Sequence, residues 1–330
     1  MNPQIQGFLS SNRPAASAVI DSLIASSMRE AYVLAATRGK SPSEPDFIAM
    51  FVARAAPQIA TALGGMFRQT GVRIRVTSVF CHGRPEVHHA AGTCELGDLL
   101  LAYFHTDSSG TTERTSLLLQ AKMSASTVYK VAAADTQLAL YTKWGSFTYV
   151  RTSGLSGEIR SVTPYQSHSG AQYLLIDSNG PSDPTSGVLG LPNTFPMGTA
   201  PSQGNLALQR SLGTTLMELM MGNEGRRFCE EPLAIRDWDQ VVWDLIRHGT
   251  RAAFSRRAVL MSGRARGVDS IMTLAARNPV NTSGDSMGGS EINWLLSTEN
   301  DLNRDAPAHF RDDDEGRGVS LILIESSEPR

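Results

Sequence analysis

Three residues in two apolar runs have the types and spacing to do chemistry together. Asp98 opens "DLLLAYF", Gln120 and Lys122 close "LLLQAK", and the intervening "HTDSSGTTER" has hairpin-like turn chemistry. A charged group inside an apolar strand costs several kcal/mol unless something pairs with it. Side chains alternate along a strand, so Gln120 and Lys122 share one face while Leu119 and Ala121 share the other; Asp98 aligns with Leu96 and Leu100. If the two strands are neighbours in suitable register, a carboxylate, a carboxamide and an ammonium converge. The two oxygens are hard donors that suit Mg²⁺. The ammonium could position or deprotonate a water, or offset charge building on a phosphoryl group. The plain alternative makes Asp98 a hydrogen-bonded strand start and Lys122 a strand-end lysine reaching solvent. Glu95, three residues before Asp98, points to the opposite face of a regular strand unless Gly97 makes a turn or bulge.

These residues must be positioned by an α/β framework. Residues 15–38 carry apolar positions at helical spacing. A second helix is predicted from "SPSEPDF", with Ser43 as N-cap and Pro45 in the first turn, running to residue 67 with a kink or break at Pro57. "GVRIRVTSVF" alternates as a half-buried strand. Residues 96–104 and 116–121 are the next two strands. "STVYKVAAADTQLALYTKW" reads as a helix, "GSFTYVR" and "AQYLLIDS" as strands. The Gly-, Pro- and Ser-rich residues 181–205 read as a flexible loop. "LALQRSLGTTLMELMMG" and "DWDQVVWDLIRHGTRAAF" follow as helices, the second with Asp237 and Gln240 spaced as a capping box. "GVSLILIE" closes as a strand. The organisation expected is a core over 1–180 and a helical extension with a terminal strand over 206–330, packed as one unit.

The "ELGDLLL … LLLQAK" pattern resembles the PD-(D/E)xK, or restriction-endonuclease-like, nuclease superfamily, in the variant with glutamine in the acid's place. The resemblance implies a core of helix, three-strand meander, helix and strand, and Mg²⁺-dependent (or Mn²⁺-dependent) hydrolysis of phosphodiesters. Carried over, Asp98 is the metal-binding aspartate, Gln120 a metal or water ligand, and Lys122 the catalytic lysine. The backbone carbonyl of Ala121 completes the metal shell. A glutamate from the helix before the meander is also implied, for which Glu44 is the candidate with Glu30 behind it; Glu95 is the remaining candidate carboxylate. Nuclease modules of this type serve bacterial restriction or antiphage defence beside a separate ATPase or sensor protein, so the resemblance implies such a partner and a homo-oligomer. The neutrality of Gln120 also keeps open a catalytically inactive nuclease fold retained as a binding or assembly subunit.

The formal charge of -2 excludes neither nucleic acid nor membrane, since distribution matters more than the sum. An acid-free basic stretch, "LIRHGTRAAFSRRAVLMSGRARGV", carries Arg247, Arg251, Arg256, Arg257, Arg264 and Arg266, a candidate phosphate track for DNA, less favourably RNA. Its alternative is a solvated helix face. Cys81, His82, His88, His89 and Cys94 fall within one stretch but lack the paired short spacing of structural zinc sites, and a strand-to-strand turn is the simpler reading. His82 and Arg84 are weak candidates for phosphate contact. Tyr141, Trp144, Phe147 and Tyr149 could stack on bases but suit core packing better. Three cysteines argue against a disulfide framework, and neither a secretory leader nor a run of ~20 apolar residues is visible. The expectation is a cytoplasmic protein with no membrane partner.

Overall fold

The computed structural model describes residues 3–37, 39–81, 85–152, 154–163, 170–179, 196–230, 237–254, 271–273 and 318–329. Helix α1 (Pro3–Thr37) is followed by α2 (Glu44–Met50), a π-helical segment (Phe51–Ala55) and α3 (Ala56–Phe67). Ser43 precedes α2 as expected, and its backbone N–H donates to the Asp46 carboxylate at 2.8 Å. The break expected at Pro57 takes the form of the π segment just before it, where the i−4 ladder loosens and Pro57 enters the first turn of α3.

Next come β1 (Arg73–Phe80), β2 (Glu86–His89), β3 (Gly92–Glu95), β4 (Leu99–Thr106), β5 (Thr112–Ser124), β6 (Val128–Lys130), α4 (Thr136–Lys143), β7 (Gly145–Tyr149), β8 (Ile159–Val162) and β9 (Ala171–Asp177). They are followed by β10 (Met197–Ala200), β11 (Asn205–Ala207), β12 (Arg210–Ser211), α5 (Leu212–Met221), β13 (Arg226–Arg227), α6 (Asp237–Phe254), β14 (Ile271–Thr273) and β15 (Ser320–Ser327). The main sheet runs β12-β10-β9-β5-β4-β15-β1-β14, with β13 also on β5. It is mixed: β4–β5 is an antiparallel hairpin, while β15 lies parallel to β4 and β9 parallel to β5. A smaller antiparallel sheet, β3-β2-β7-β8, and a β6–β11 ribbon flank it.

Both faces of the main sheet are covered, which is why β4, β9 and β15 read as near-continuous apolar runs. Leu99, Leu101, Leu117, Leu119 and Ile322 pack against α1, α3 and α5. Leu100, Leu118, Leu175 and Leu321 pack on the other side against Trp238, Val242 and Ile246 of α6 and Phe147 of the small sheet.

The α/β class is as expected, but four particulars differ. The three-strand meander does not form, because β15 inserts between β1 and β4 and pairs with both. The helix expected over 126–144 is strand β6 followed by a shorter α4, with Asp135 accepting from the Leu138 N–H at 2.7 Å. Within the expected loop 181–205, residues 197–200 form β10 against β9; residues 180–195 lie outside the described residues. The helix expected from residue 206 begins at Leu212, after two short strands, with the Ser211 hydroxyl capping Thr214. The Asp237 carboxylate accepts from the Thr163 N–H at 2.8 Å and pairs with Arg226.

Candidate functional site

The β4–β5 register places Leu99 opposite Leu119, so Asp98 lies across from Gln120 one step beyond. Asp98 is held on three sides. Its N–H donates to the Leu119 carbonyl at 2.9 Å, its carbonyl accepts from Ser320 N–H of β15 at 2.9 Å, and its Oδ2 accepts from the Ala121 N–H at 2.8 Å. Strand β5 outruns β4 at this end, leaving the N–H groups of residues 121 and 123 without a β4 partner. The carboxylates fill that gap: Asp98 takes Ala121, and Glu44 Oε1 takes the Met123 N–H at 2.8 Å. Glu44 arrives because α2 begins with it. Asp98, Glu44, Ala121 and Lys122 thus meet at one end of β5.

Glu95 joins them. It ends β3 in the small sheet, and Leu96–Gly97 carries the chain across to β4. A Cβ at Gly97 would lie 2.8 Å from Leu118 Cδ1 and 3.1 Å from Tyr141 Oη, so any larger residue would have to displace these buried side chains. The Asp98 carboxyl is pushed up to about 7, chiefly by burial; the Ala121 N–H lowers it, Glu95 and Glu44 raise it, and Lys122 lowers it. Three carboxylates therefore share one neighbourhood with one ammonium, and the excess negative charge favours a proton or a cation. Lys122 is half-buried and makes no hydrogen bond or ion pair among the described residues.

Gln120 has a different setting. It is buried, its Oε1 accepts a short hydrogen bond from Gln137 Nε2, and its own Nε2 donates to the Ala121 carbonyl at 3.4 Å. Gln137 Nε2 also donates to the Glu95 carbonyl at 2.8 Å, and Tyr141, one turn on, donates to the Leu96 carbonyl at 2.6 Å. One face of α4 thus fastens both the segment leading to Asp98 and the side chain of Gln120. Neither Gln137 nor Tyr141 was expected at the site; the only sequence signal is their four-residue spacing on a helix.

The donors present are of the hard-oxygen type that Mg²⁺ or Mn²⁺ takes. Asp98 and Glu44 each give one oxygen to a backbone N–H and leave the other without a hydrogen bond among the described residues. The Ala121 carbonyl faces the same edge. All are hard oxygens carrying net negative charge. Among the described residues, no group of three or more His, Cys, Asp and Glu side chains could hold an ion by itself, so backbone or water oxygens would complete the shell. The oxygen of Gln120 is engaged by Gln137 in this arrangement.

Other candidates fall elsewhere. Glu30 pairs with Arg54 at 3.0 Å. Cys81 is buried with its thiol pushed up to about 12, and burial pushes Cys94 up to about 11 beside His89, at 3.8 Å. His88 is exposed on Thr93, and His82 and Arg84 lie outside the described residues, so no zinc cluster forms among those described. Tyr141, Phe147 and Tyr149 are core, as their spacing suggested. Arg247 is exposed on α6 and Arg251 belongs to the same helix, whereas Arg256, Arg257, Arg264 and Arg266 lie outside the described residues. The stretch Glu44–Thr70 is long and apolar enough to cross a membrane, but most of it is buried in the protein.

Comparison of the chain with protein-family models, curated proteins and solved structures gives no match.

Proposed function

We propose that this chain is a Mg²⁺-dependent (or Mn²⁺-dependent) nuclease that hydrolyses phosphodiester bonds of a nucleic acid, with DNA the favoured reading and RNA the alternative. The observation that carries the reading is the meeting of Asp98, Glu44 and Lys122 around the Ala121 peptide. Asp98, Glu44 and the Ala121 carbonyl would hold the ion, which when bound supplies Lewis acidity and an activated water. The Lys122 ammonium, free of protein partners among the described residues, donates to a phosphoryl oxygen as negative charge develops there. Gln137 and Tyr141 keep the Asp98 segment and β5 in fixed relation, since misplacing such groups by ~1 Å can cost about 10²-fold in rate. Glu95 adds negative charge that attracts the ion. A restriction-endonuclease-like core whose meander is interrupted by β15, the 5′-phosphate products, a cytoplasmic role in antiphage defence or restriction, a separate ATPase or sensor partner and a homo-oligomer belong to the same proposal, supported by the sequence resemblance.

A second reading has its own observation. Asp98 and Glu44 satisfy backbone N–H groups of β5, and Gln120 is engaged by Gln137, so these side chains also suit a non-catalytic assembly subunit. Incubation with plasmid and single-stranded DNA in Mg²⁺ separates the two. The nuclease reading expects cleavage by the wild type that Asp98→Ala and Lys122→Ala abolish. Intact substrate in every case, with and without a partner ATPase, leaves the assembly reading.

A further inference from the structure

The β6–β11 ribbon is joined in the chain to both sides of the candidate site. It follows the end of β5, which carries Lys122, and leads into α4, which carries Gln137. Its two strands are antiparallel, with Lys130 opposite Asn205, Tyr129 opposite Leu206 and Val128 opposite Ala207. Side chains alternate, so the ribbon has two unlike faces. Leu206 and Tyr129 pack inward, Leu206 fully buried in the core that contains Val131 and Tyr173. Val128, Lys130, Asn205 and Ala207 are all exposed on the outer face.

Charge, exposure and rigidity all bear on what this face meets. From Ser124 to Ala134 and from Pro201 to Gln209 the sequence has no Asp or Glu, beside a centre where three carboxylates gather. The Lys130 ammonium and the Asn205 amide make no hydrogen bond or ion pair among the described residues. Val128 is 49% exposed between them and the turn. A two-stranded ribbon alone is marginal in water, but this one is braced. The Ser124 hydroxyl donates to the Ser126 carbonyl at 2.7 Å and the Ser126 hydroxyl to the Val128 carbonyl at 2.6 Å. Backbone bonds extend the pairing beyond both ends, Leu208 N–H to the Thr127 carbonyl at 2.8 Å and Val131 N–H to the Gly204 carbonyl at 3.0 Å. The outer face is therefore rigid before any partner arrives, which lowers the ordering cost of binding.

We propose that the outer face of this ribbon enters the major groove of B-form duplex DNA, with Lys130 on a backbone phosphate, Asn205 on base edges and Val128 with Ala207 against thymine methyl groups. The choice of nucleic acid as partner rests on the nuclease reading. The major groove of B-DNA, ~12 Å wide, admits a two-stranded ribbon, whereas the deep, narrow groove of A-form RNA does not. Lys130 is eight residues from Lys122. Even fully extended that chain spans at most ~29 Å, less than the ~34 Å of one duplex turn. A duplex with a phosphate at Lys122 thus has the ribbon within a turn of the scissile bond.

Fluorescence anisotropy of the full chain with labelled duplex DNA of about three turns, and with duplex RNA of the same sequence, tests it. Ca²⁺ replaces Mg²⁺ so that binding is read apart from cleavage, and circular dichroism confirms that each variant folds. Duplex DNA should bind more tightly than duplex RNA. Lys130→Gln should weaken DNA binding about tenfold and lower the slope of log affinity against log salt by about 1. Val128→Asp, which turns a negative charge toward the phosphates, should weaken it at least as much. Arg68→Gln removes the same charge from an exposed position at the opposite end of the main sheet and should change neither quantity. Wild type that binds no DNA, duplex RNA bound as tightly as DNA, or affinity and slope unchanged in both ribbon variants would overturn the proposal. Ribbon-dependent binding without cleavage in Mg²⁺ would instead remove the nuclease reading and leave the groove contact standing.

Discussion

The two ends of β4 treat buried polar groups in opposite ways. At the far end His105, Tyr103 and Ser326 form a hydrogen-bonded network: the Ser326 hydroxyl meets Tyr103 Oη at 2.6 Å and His105 Nδ1 at 2.8 Å, while Glu328 stands 3.4 Å from His105 Nε2, which makes no hydrogen bond among the described residues. All three are buried, and burial lowers the His105 pKa more than Glu328 raises it, so the imidazole is held neutral. At the near end Asp98, Glu44 and Glu95 crowd together, and one half-buried lysine stands against them. Polar groups bonded mainly to one another hold a strand in place. Like charges left to repel one another have a cost that an external partner can relieve, and that distinction is why we propose the near end as the functional one.

The sharpest break of this comparison is a crossed pair of variants. Asp98→Asn keeps an acceptor for the Ala121 N–H but loses the charge, so DNA cleavage should fall by about 10²-fold or more, while the denaturation midpoint in chelator at pH 8 holds or rises. Ser326→Ala should do the reverse. It leaves Tyr103 and His105 unpartnered in the core, lowering stability by about 3 kcal/mol in urea unfolding, with cleavage per folded molecule unchanged. Equal effects of the two variants on both readouts would erase the distinction.

Acidity sharpens it further. The folded Asp98 carboxyl sits near 7, above its ordinary value of 3.8. Between those values the native state binds more protons than the unfolded chain, so this contribution to stability is present at low pH and is lost as pH rises through 7. The melting temperature of the metal-free wild type should therefore fall relative to Asp98→Asn between pH 5 and pH 8. Added Mg²⁺ should restore it at pH 8 and do little at pH 5. A smaller effect is expected for Gln137→Leu. Freeing Gln120 and the Glu95 carbonyl should slow cleavage about tenfold by loosening alignment, with a loss of roughly 1 kcal/mol in stability.

What the sequence revealed follows from what periodicity can carry. The apolar runs 99–104, 173–176 and 321–324 read as strands because both sheet faces are covered there. Asp98 and Lys122 stand out as charged residues interrupting such runs, and Glu44 as an acid opening a helix. Pairing is another matter. Nothing in "GVSLILIE" says that it lies between β1 and β4, because strand neighbours are chosen by the whole fold. The stretch 126–144 misleads for a local reason: its alanines favour helix, but β11 captures residues 128–130 as a strand partner. Gln137 was hidden because a glutamine on a short helix looks like solvent-facing surface until Gln120 is seen opposite it.

The placement of β15 has a consequence for how the molecule comes into being. Asp98 owes one of its three anchors to the Ser320 N–H, on a strand that a ribosome delivers more than two hundred residues later. Until that strand threads in, β4 lacks one of its two neighbours and the Asp98 backbone lacks its anchor on that side. A nascent chain would thus carry every side chain of the candidate site yet complete it only after synthesis has passed residue 320; on the proposed function, it would be inert until then.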